Sequence, residues 1–389
     1  MSTKLRLKAI ALFVTGVLAL SLAGGCTLDV FKAPTTTTPP AAADGLDTAL
    51  LQEAYDIIRD EYVEPGRLDS TELSRGAIKG MVQGMDDPYS AYLTPEQFQL
   101  TVGDFEGQFD GIGAFVGIQD GAITIIAPIP DTPAAKAGIK AGDIVLAIDG
   151  ESTADMTVQD AVLLIRGPRG TTVSVTVLHE GGTEPETLEI TRAEIQVPSV
   201  RFEMKGDYAW LNITNFSERT DVELLPALKT ILDNKAKGII LDLRQNPGGI
   251  LDTVVADASH FLREGVVVHV VDRDGNKETH PVNRFATKID LPMVVLVDRF
   301  SASGSEVLAG ALQDYKRAVI AGEKTFGKGS VNTLIRLSDG SGIYITIARW
   351  QTPNGNLIEG EGIQPDIAVD WDTVDGIQWG IDYLNSIVK

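Results

Sequence analysis

Three serines, Ser301, Ser303 and Ser305, stand in one short turn, Ser301-Ala302-Ser303-Gly304-Ser305-Glu306, which Asp298-Arg299-Phe300 join to the apolar run Met293-Val294-Val295-Leu296-Val297. The run reads as a buried strand and the residues after the turn as a helix, so hydroxyls are presented at a helix N-terminus. Free backbone N–H groups and the macrodipole favour negative charge there, which suits the oxyanion that forms when a hydroxyl attacks a carbonyl. The same residues also fit plain capping: serine is a preferred N-cap, and Glu306, three residues after Ser303, would complete a capping box. A second chemical group is Lys328, flanked by Gly327 and Gly329 in Thr325-Phe326-Gly327-Lys328-Gly329-Ser330-Val331. It has no evident packing role, although a lone lysine is most often a solvated charge.

Other chemistries find less support. The four histidines, His179, His260, His269 and His280, fall at no zinc-type spacing, and neither a His-Glu-x-x-His segment nor a cysteine pair exists. No metal site and no cofactor are expected. A Ser/His/Asp triad stays open, because triads assemble in space rather than in sequence. His179 and His280 nevertheless lie in turn-like polar contexts and His269 in a strand, settings that suit surface or core roles.

These groups must be positioned by a chain of 389 residues, more than one hydrophobic core usually serves, so two or three folded units are expected. Apolar residues at 43% and aromatics at 6% fit a globular enzyme rather than a disordered or multi-span membrane protein. The net charge of -21 would repel phosphate backbones, so nucleic acid is not an expected partner. Lys4, Arg6 and Lys8 precede an uncharged run and the small residues before Cys26, which reads as a secretory signal over 1–25. Residues 26–45, rich in Thr, Pro and Ala, read as a flexible linker with nothing to bury.

Apolar residues at helical spacing, Leu50, Leu51, Tyr55, Ile57 and Ile58 among them, predict a helical region over 46–102, with Thr94 and Pro95 opening its last helix. Glycine-punctuated β-branched runs at 122–126 and 173–177 predict a small, mostly β module over 103–184. From 185 to 389 strands alternate with helices, including a strand over 238–243 and a helix from Leu251, as in a layered α/β core. The fold class expected is therefore multidomain, α+β in its first part and α/β in its second.

Taken together, the Ser301–Glu306 turn and Glu323-x-Thr325-Phe326-Gly327-Lys328-Gly329-x-Val331 resemble the active-site segments of the C-terminal processing (tail-specific) serine peptidases. The resemblance implies a crotonase-like α/β peptidase core, with Ser303 as nucleophile and Lys328 as general base. Leu241-Asp242-Leu243-Arg244-Gln245-Asn246-Pro247-Gly248-Gly249 resembles a further family segment, which implies that the Gly249 and Gly304 amides bind the oxyanion. Asp87-Pro88-Tyr89-Ser90 and Gly360-Glu361-Gly362-Ile363-Gln364-Pro365-Asp366 match in the same order. Family members often carry Gln four residues after the lysine; here Asn332 takes that place and is expected to orient the amine. The run 134–150 resembles the centre of a PDZ domain, and Gly111-Ile112-Gly113-Ala114 its carboxylate-binding loop, where glycines let backbone amides converge on an anion. Cys26 resembles the acylated cysteine of a bacterial lipobox, although Ala23 stands where Leu is usual. That implies an exported lipoprotein, membrane-anchored and facing the periplasm or cell exterior.

A Ser/Lys dyad requires a neutral amine. Free lysine titrates near 10.4, so a depression of about 3 units is needed, and burial among apolar neighbours such as Phe326 is the expected cause. Arg166, ending a helix that starts near Val158, matches the arginine that in related peptidases links PDZ domain and core, so a tail-dependent regulatory role is implied. The expected partners are protein substrates held by their C-terminal tails, and self-association is compatible with the sequence. The other function class is a PDZ scaffold that binds tails without cutting, since fold alone does not establish catalysis.

Overall fold

The computed structural model describes residues 45–119 and 121–388. The signal segment, Cys26 and nearly all of the linker lie outside the described residues. The described residues divide into two compact units, one ending at Asp69 and one beginning at Ser70. In the first, Asp47 caps the helix Thr48–Glu61 by accepting the Leu50 N–H at 3.0 Å, and a 3-10 turn follows at Pro65–Arg67. The expected helical region over 46–102 is thus split between units, because the helices Ser70–Gln83 and Pro95–Glu106 belong to the second.

The second unit is built on a six-stranded sheet in the order Val200–Lys205, Tyr208–Ile213, Gly238–Asp242, Met293–Val297, Val319–Gly322, Ile367–Ala368. The first pair is antiparallel and the others are parallel. Its two central strands are buried at every position, which is why they read as apolar runs instead of alternating ones. Helices Thr220–Asp233, Leu251–Phe261 and Gly304–Asp314 share one core with this sheet, through Leu228, Val254 and Leu308 against Leu211, Leu241 and Val295. Helix Gly376–Ile387 packs Leu384 against Ile240, Val294 and Leu296 in a separate cluster. Each such fully buried aliphatic side chain contributes about 1.5–3 kcal/mol.

Parallel pairing decides where the chemistry sits. Strand Gly238–Asp242 runs beside Met293–Val297 with Asp242 opposite Leu296, so the Asn246–Gly249 loop and the serine turn leave the sheet side by side. Ligand sites of parallel sheets lie at this carboxyl end. A second sheet joins Ala91–Leu93, Gly342–Gln351, Val266–Asp272 and Lys277–Pro281, with Ser330–Arg336 also paired to Gly342–Gln351. It carries Lys328 in just ahead of Ser330.

The β module has its own core of Ile125, Val145, Ile148 and Val175 beneath the sheet Ala114–Gln119, Ala122–Pro128, Ile144–Ile148, Thr172–Leu178, Glu186–Thr191. Its last strand pairs with Thr172–Leu178, so the module runs past the expected end at 184. Gly181, at φ 74°, lies in the hairpin turn that joins the two strands.

Candidate active site

Of the three serines, two are already committed. The Ser301 hydroxyl donates to the Leu243 carbonyl at 2.8 Å and that of Ser305 to the Asn246 carbonyl at 2.9 Å, whereas the Ser303 hydroxyl donates to no carbonyl among the described residues. Ser303 is the N-cap of Gly304–Asp314 and has φ 51° and ψ -114°, a region where an L side chain is strained by about 1–3 kcal/mol. Such strain persists where surrounding contacts over-determine the backbone, and here they come from the Asn246–Gly249 loop. Asn246 is fully buried; its amide donates to the Ile213 carbonyl and accepts the Gly248 N–H, and its carbonyl accepts the Ala302 N–H at 3.0 Å.

The close approach explains the paired glycines. A Cβ on Gly248 would lie 2.7 Å from the Ser303 Cβ, and one on Gly249 would lie 2.0 Å from the Phe216 carbonyl oxygen. The Gly249 nitrogen sits 3.4 Å from where a Gly304 Cβ would be, and neither amide donates a hydrogen bond within the described residues. Two free donors beside the Ser303 backbone are what a developing oxyanion requires.

Lys328 is half-buried, and its Nζ lies 5.6 Å from the Tyr89 ring centroid and 5.5 Å from that of Tyr344. Burial pulls its ammonium below the ordinary lysine range, against the opposing pull of the Glu359, Asp87 and Glu306 carboxylates. The apolar walls are those tyrosines and not Phe326, which turns its ring to solvent at 56% exposure. No hydrogen bond joins Ser303 Oγ to Lys328 Nζ in this structure; such contacts are often long before substrate binds.

The two segments are joined through Glu306, which is fully buried. Its Oε2 accepts the Ser303 N–H at 2.8 Å and the Lys328 N–H at 2.9 Å, while Oε1 accepts the Gly327 N–H at 2.7 Å and the Thr325 hydroxyl at 2.6 Å. Burial pushes this carboxyl above its usual range, and the four donors pull it back part of the way. One half of the capping box is therefore present, the Glu306 carboxylate on the Ser303 N–H, while the Glu306 N–H donates to the Ser303 carbonyl; the same carboxylate also fixes the lysine loop to the serine turn.

Asn332 does not touch Lys328. Its amide nitrogen donates to the Tyr89 carbonyl and to Thr346 Oγ1, both at 3.0 Å, and its oxygen accepts the Ser330 hydroxyl. The Tyr89 carbonyl and Thr346, both remote in the chain, take the amide that the spacing assigned to the lysine. Tyr89, Tyr344 and Asn246 line the site without having been singled out in the sequence; Tyr89 and Asn246 stood in recognised segments, but no spacing linked Tyr89 to the lysine.

No histidine bonds to Ser303 among the described residues. His179 lies between Asp143 and Glu186, His260 between Asp221 and the Thr287 carbonyl, His269 against Thr279, and His280 near Glu278. Among the described residues, no cluster of three or more His, Cys, Asp or Glu could hold a metal ion.

The Gly111–Ala114 loop lies in the β module, apart from the serine turn. The Ile112 carbonyl accepts the Ala134 N–H and the Gly113 carbonyl the Ile129 N–H, at 2.8 and 2.9 Å. Gly113 has φ 83°, and a Cβ there would lie 2.5 Å from that of Thr132. Strand Ala114–Gln119 pairs only with Ala122–Pro128 among the described residues, leaving an edge beside helix Val158–Ile165. Arg166, at that helix's end, reaches Asp104 at 3.3 Å and stacks 3.9 Å over the Phe109 ring, rather than touching Ser303 or Lys328. Phe105, beside Asp104, has its ring 6.4 Å from that of Tyr344, which walls Lys328.

Comparison with known proteins places these features. A model of peptidase family S41 matches residues 207–369, a PDZ-domain model 124–178, and a model of the activating protease CtpB N-terminal domain 32–97. The chain is 38% identical to a carboxy-terminal-processing protease of Bartonella bacilliformis, covering 82% of this chain and 74% of that one. It is 35% identical to the carboxy-terminal processing protease CtpB of Bacillus subtilis, covering 93% and 78%. Among solved structures, the photosystem II D1 C-terminal processing protease superposes with a TM-score of 0.53 at 29% identity, over 86% of this chain and 95% of that one.

Proposed function

The chain belongs to the carboxy-terminal processing proteases of peptidase family S41, and from that premise we propose that it cuts exported proteins near their C-termini with a Ser303/Lys328 dyad. It is a serine-type peptidase with a PDZ domain. The observation that carries the dyad is the Glu306 carboxylate, which accepts both the Ser303 and the Lys328 backbone N–H.

In the proposed cycle Lys328, as neutral amine, takes the Ser303 hydroxyl proton while Oγ attacks the scissile carbonyl carbon. The Gly249 and Gly304 amides receive the carbonyl oxygen as it becomes an oxyanion. Collapse breaks the C–N bond, and the Lys328 ammonium returns the proton to the leaving amine. Water, deprotonated by the same lysine, then hydrolyses the ester and releases Ser303.

The substrate's C-terminal carboxylate is received by the Gly111–Ala114 loop, and its last residues add to the open edge of Ala114–Gln119. Arg166 relays occupancy to the core through Asp104, Phe105 and Tyr344. The scaffold alternative keeps this tail binding and discards the chemistry. Cys26 is the lipid-bearing mature N-terminus, holding the enzyme on the outer face of a membrane; one acyl chain binds only marginally, so at least two are involved.

One experiment tests both halves. Membrane and soluble fractions from cells producing wild type, Ser303→Ala or Cys26→Ala are assayed on an unstructured protein with an apolar C-terminus, with products read by mass spectrometry. Internal cleavage products should appear in the wild-type membrane fraction, vanish with Ser303→Ala and move to the soluble fraction with Cys26→Ala. Undiminished products from Ser303→Ala leave only the scaffold reading.

A further inference from the structure

Beside the tyrosines that wall Lys328 lies a cavity of about 440 Å3, lined by Asp87, Thr346, Arg349 and Glu359 among others. Its charges are unevenly matched. Asp87 accepts the Tyr89 N–H at 3.1 Å and the Ser90 hydroxyl at 2.6 Å. Glu359 Oε2 is buried with no hydrogen-bond partner, and so is Arg349 Nη1; the approach between the two side chains is 3.9 Å, from Arg349 Nε to Glu359 Oε2. A buried carboxylate oxygen without a donor is costly, and the nearest cation gains most by supplying one.

Backbone geometry brings both residues to the lysine. Arg349 stands directly opposite Ser330 across the strand pair, and the Trp350 N–H donates to the Gly329 carbonyl at 2.8 Å. From the other side Glu359 packs on Gly329, where a Cβ would lie 2.2 Å from the Glu359 nitrogen, and the Gly360 N–H donates to the Gly327 carbonyl at 2.9 Å. The Glu359 carboxylate is thus approached by Arg349 at 3.9 Å, and its charge also acts on Lys328.

We propose that Arg349 is a positioning residue for Lys328: by engaging the Glu359 carboxylate, it keeps that carboxylate from capturing the lysine as an ion pair. The inference rests on the reading of Lys328 as general base. The other groups facing the amine are occupied or neutral. Glu306 on the nucleophile helix has four donors, Asp87 in the turn has two, and burial raises the Tyr89 and Tyr344 phenols so that they stay protonated at working pH. Glu359 raises the lysine toward its charged form, and a charged Lys328 cannot accept the serine proton.

The test is the pH dependence of kcat/KM on one unstructured protein substrate, whose acidic limb reports the base in the free enzyme. Arg349→Gln should move that limb up by about 1 pH unit, roughly a tenfold loss below the midpoint. Glu359→Gln should move it down, the double variant should recover from the Arg349→Gln shift, and Arg349→Lys should stay near wild type. Glu359→Gln reports alone if Arg349→Gln does not fold. Unmoved midpoints in both single variants, or no recovery in the double, overturn the proposal. An active Lys328→Ala enzyme would instead remove the base reading on which it rests.

Discussion

Ser303 holds a backbone conformation that neighbours must enforce, and Glu306 joins the Asn246–Gly249 loop in doing so, since it accepts the Ser303 N–H while fixing the lysine loop. Glu306→Gln keeps one acceptor and turns an NH2 toward donors that lose theirs, at a cost of about 1–3 kcal/mol. If the geometry of attack bears that loss, kcat falls roughly ten- to a hundredfold with KM nearly unchanged. A Glu306→Gln enzyme with wild-type kcat would reduce the residue to a plain cap. Ser303 and Lys328 could be singled out because a hydroxyl at a strand-to-helix turn and a lysine between glycines are local patterns. The walls of the amine were not legible: Tyr89 lies far from Lys328 in the chain, and only the Ala91–Tyr344 register brings the turn over the lysine. Asn332 misled for the same reason, since the partners that take its amide, Tyr89 and Thr346, are remote in the chain.

Helix Leu251–Phe261 starts just after Gly248 and Gly249 and carries Asp257, which is fully buried with neither carboxylate oxygen hydrogen-bonded among the described residues. Burial first, and the Asp221 charge second, push this carboxyl well above its ordinary value. A raised folded-state value means the stability contribution is complete below the unfolded value near 4 and is lost as pH rises through the folded one. Asp257→Leu should therefore raise stability by about 1–3 kcal/mol near pH 8, with a gain that shrinks as pH falls toward 4. Urea unfolding across that range checks it; parallel pH dependences for variant and wild type would contradict it. The core strands were legible as apolar runs and the helix Pro95–Glu106 by its Thr94 cap, because both signals are local. The end of the β module was not, since a glycine-rich hairpin and a domain boundary share one composition and only strand pairing separates them.

Across the molecule, the module that would receive a tail and the core that would cut it are connected through Arg166, Asp104, Phe105 and Tyr344. Spatial intermediacy is not coupling; the physical requirement is that a tail bind the competent state more tightly than the idle one. A substrate with a free C-terminus should then be cut faster than its amidated twin by wild type, and Arg166→Ala should lose most of that difference while binding tails about as well. Equal rates in wild type would make the PDZ domain a passive tether. The order of units was legible in the motifs, but not the route between them, because Arg166 meets its partners only after the chain has folded back on helix Pro95–Glu106. Everything at this scale depends on the dyad. The most direct measurement is turnover of one free-tailed, unstructured substrate by folded Lys328→Ala and Lys328→Arg enzymes beside wild type. Loss of nearly all turnover in both is predicted, since guanidinium stays protonated and cannot act as base; near wild-type turnover by either variant would contradict the account.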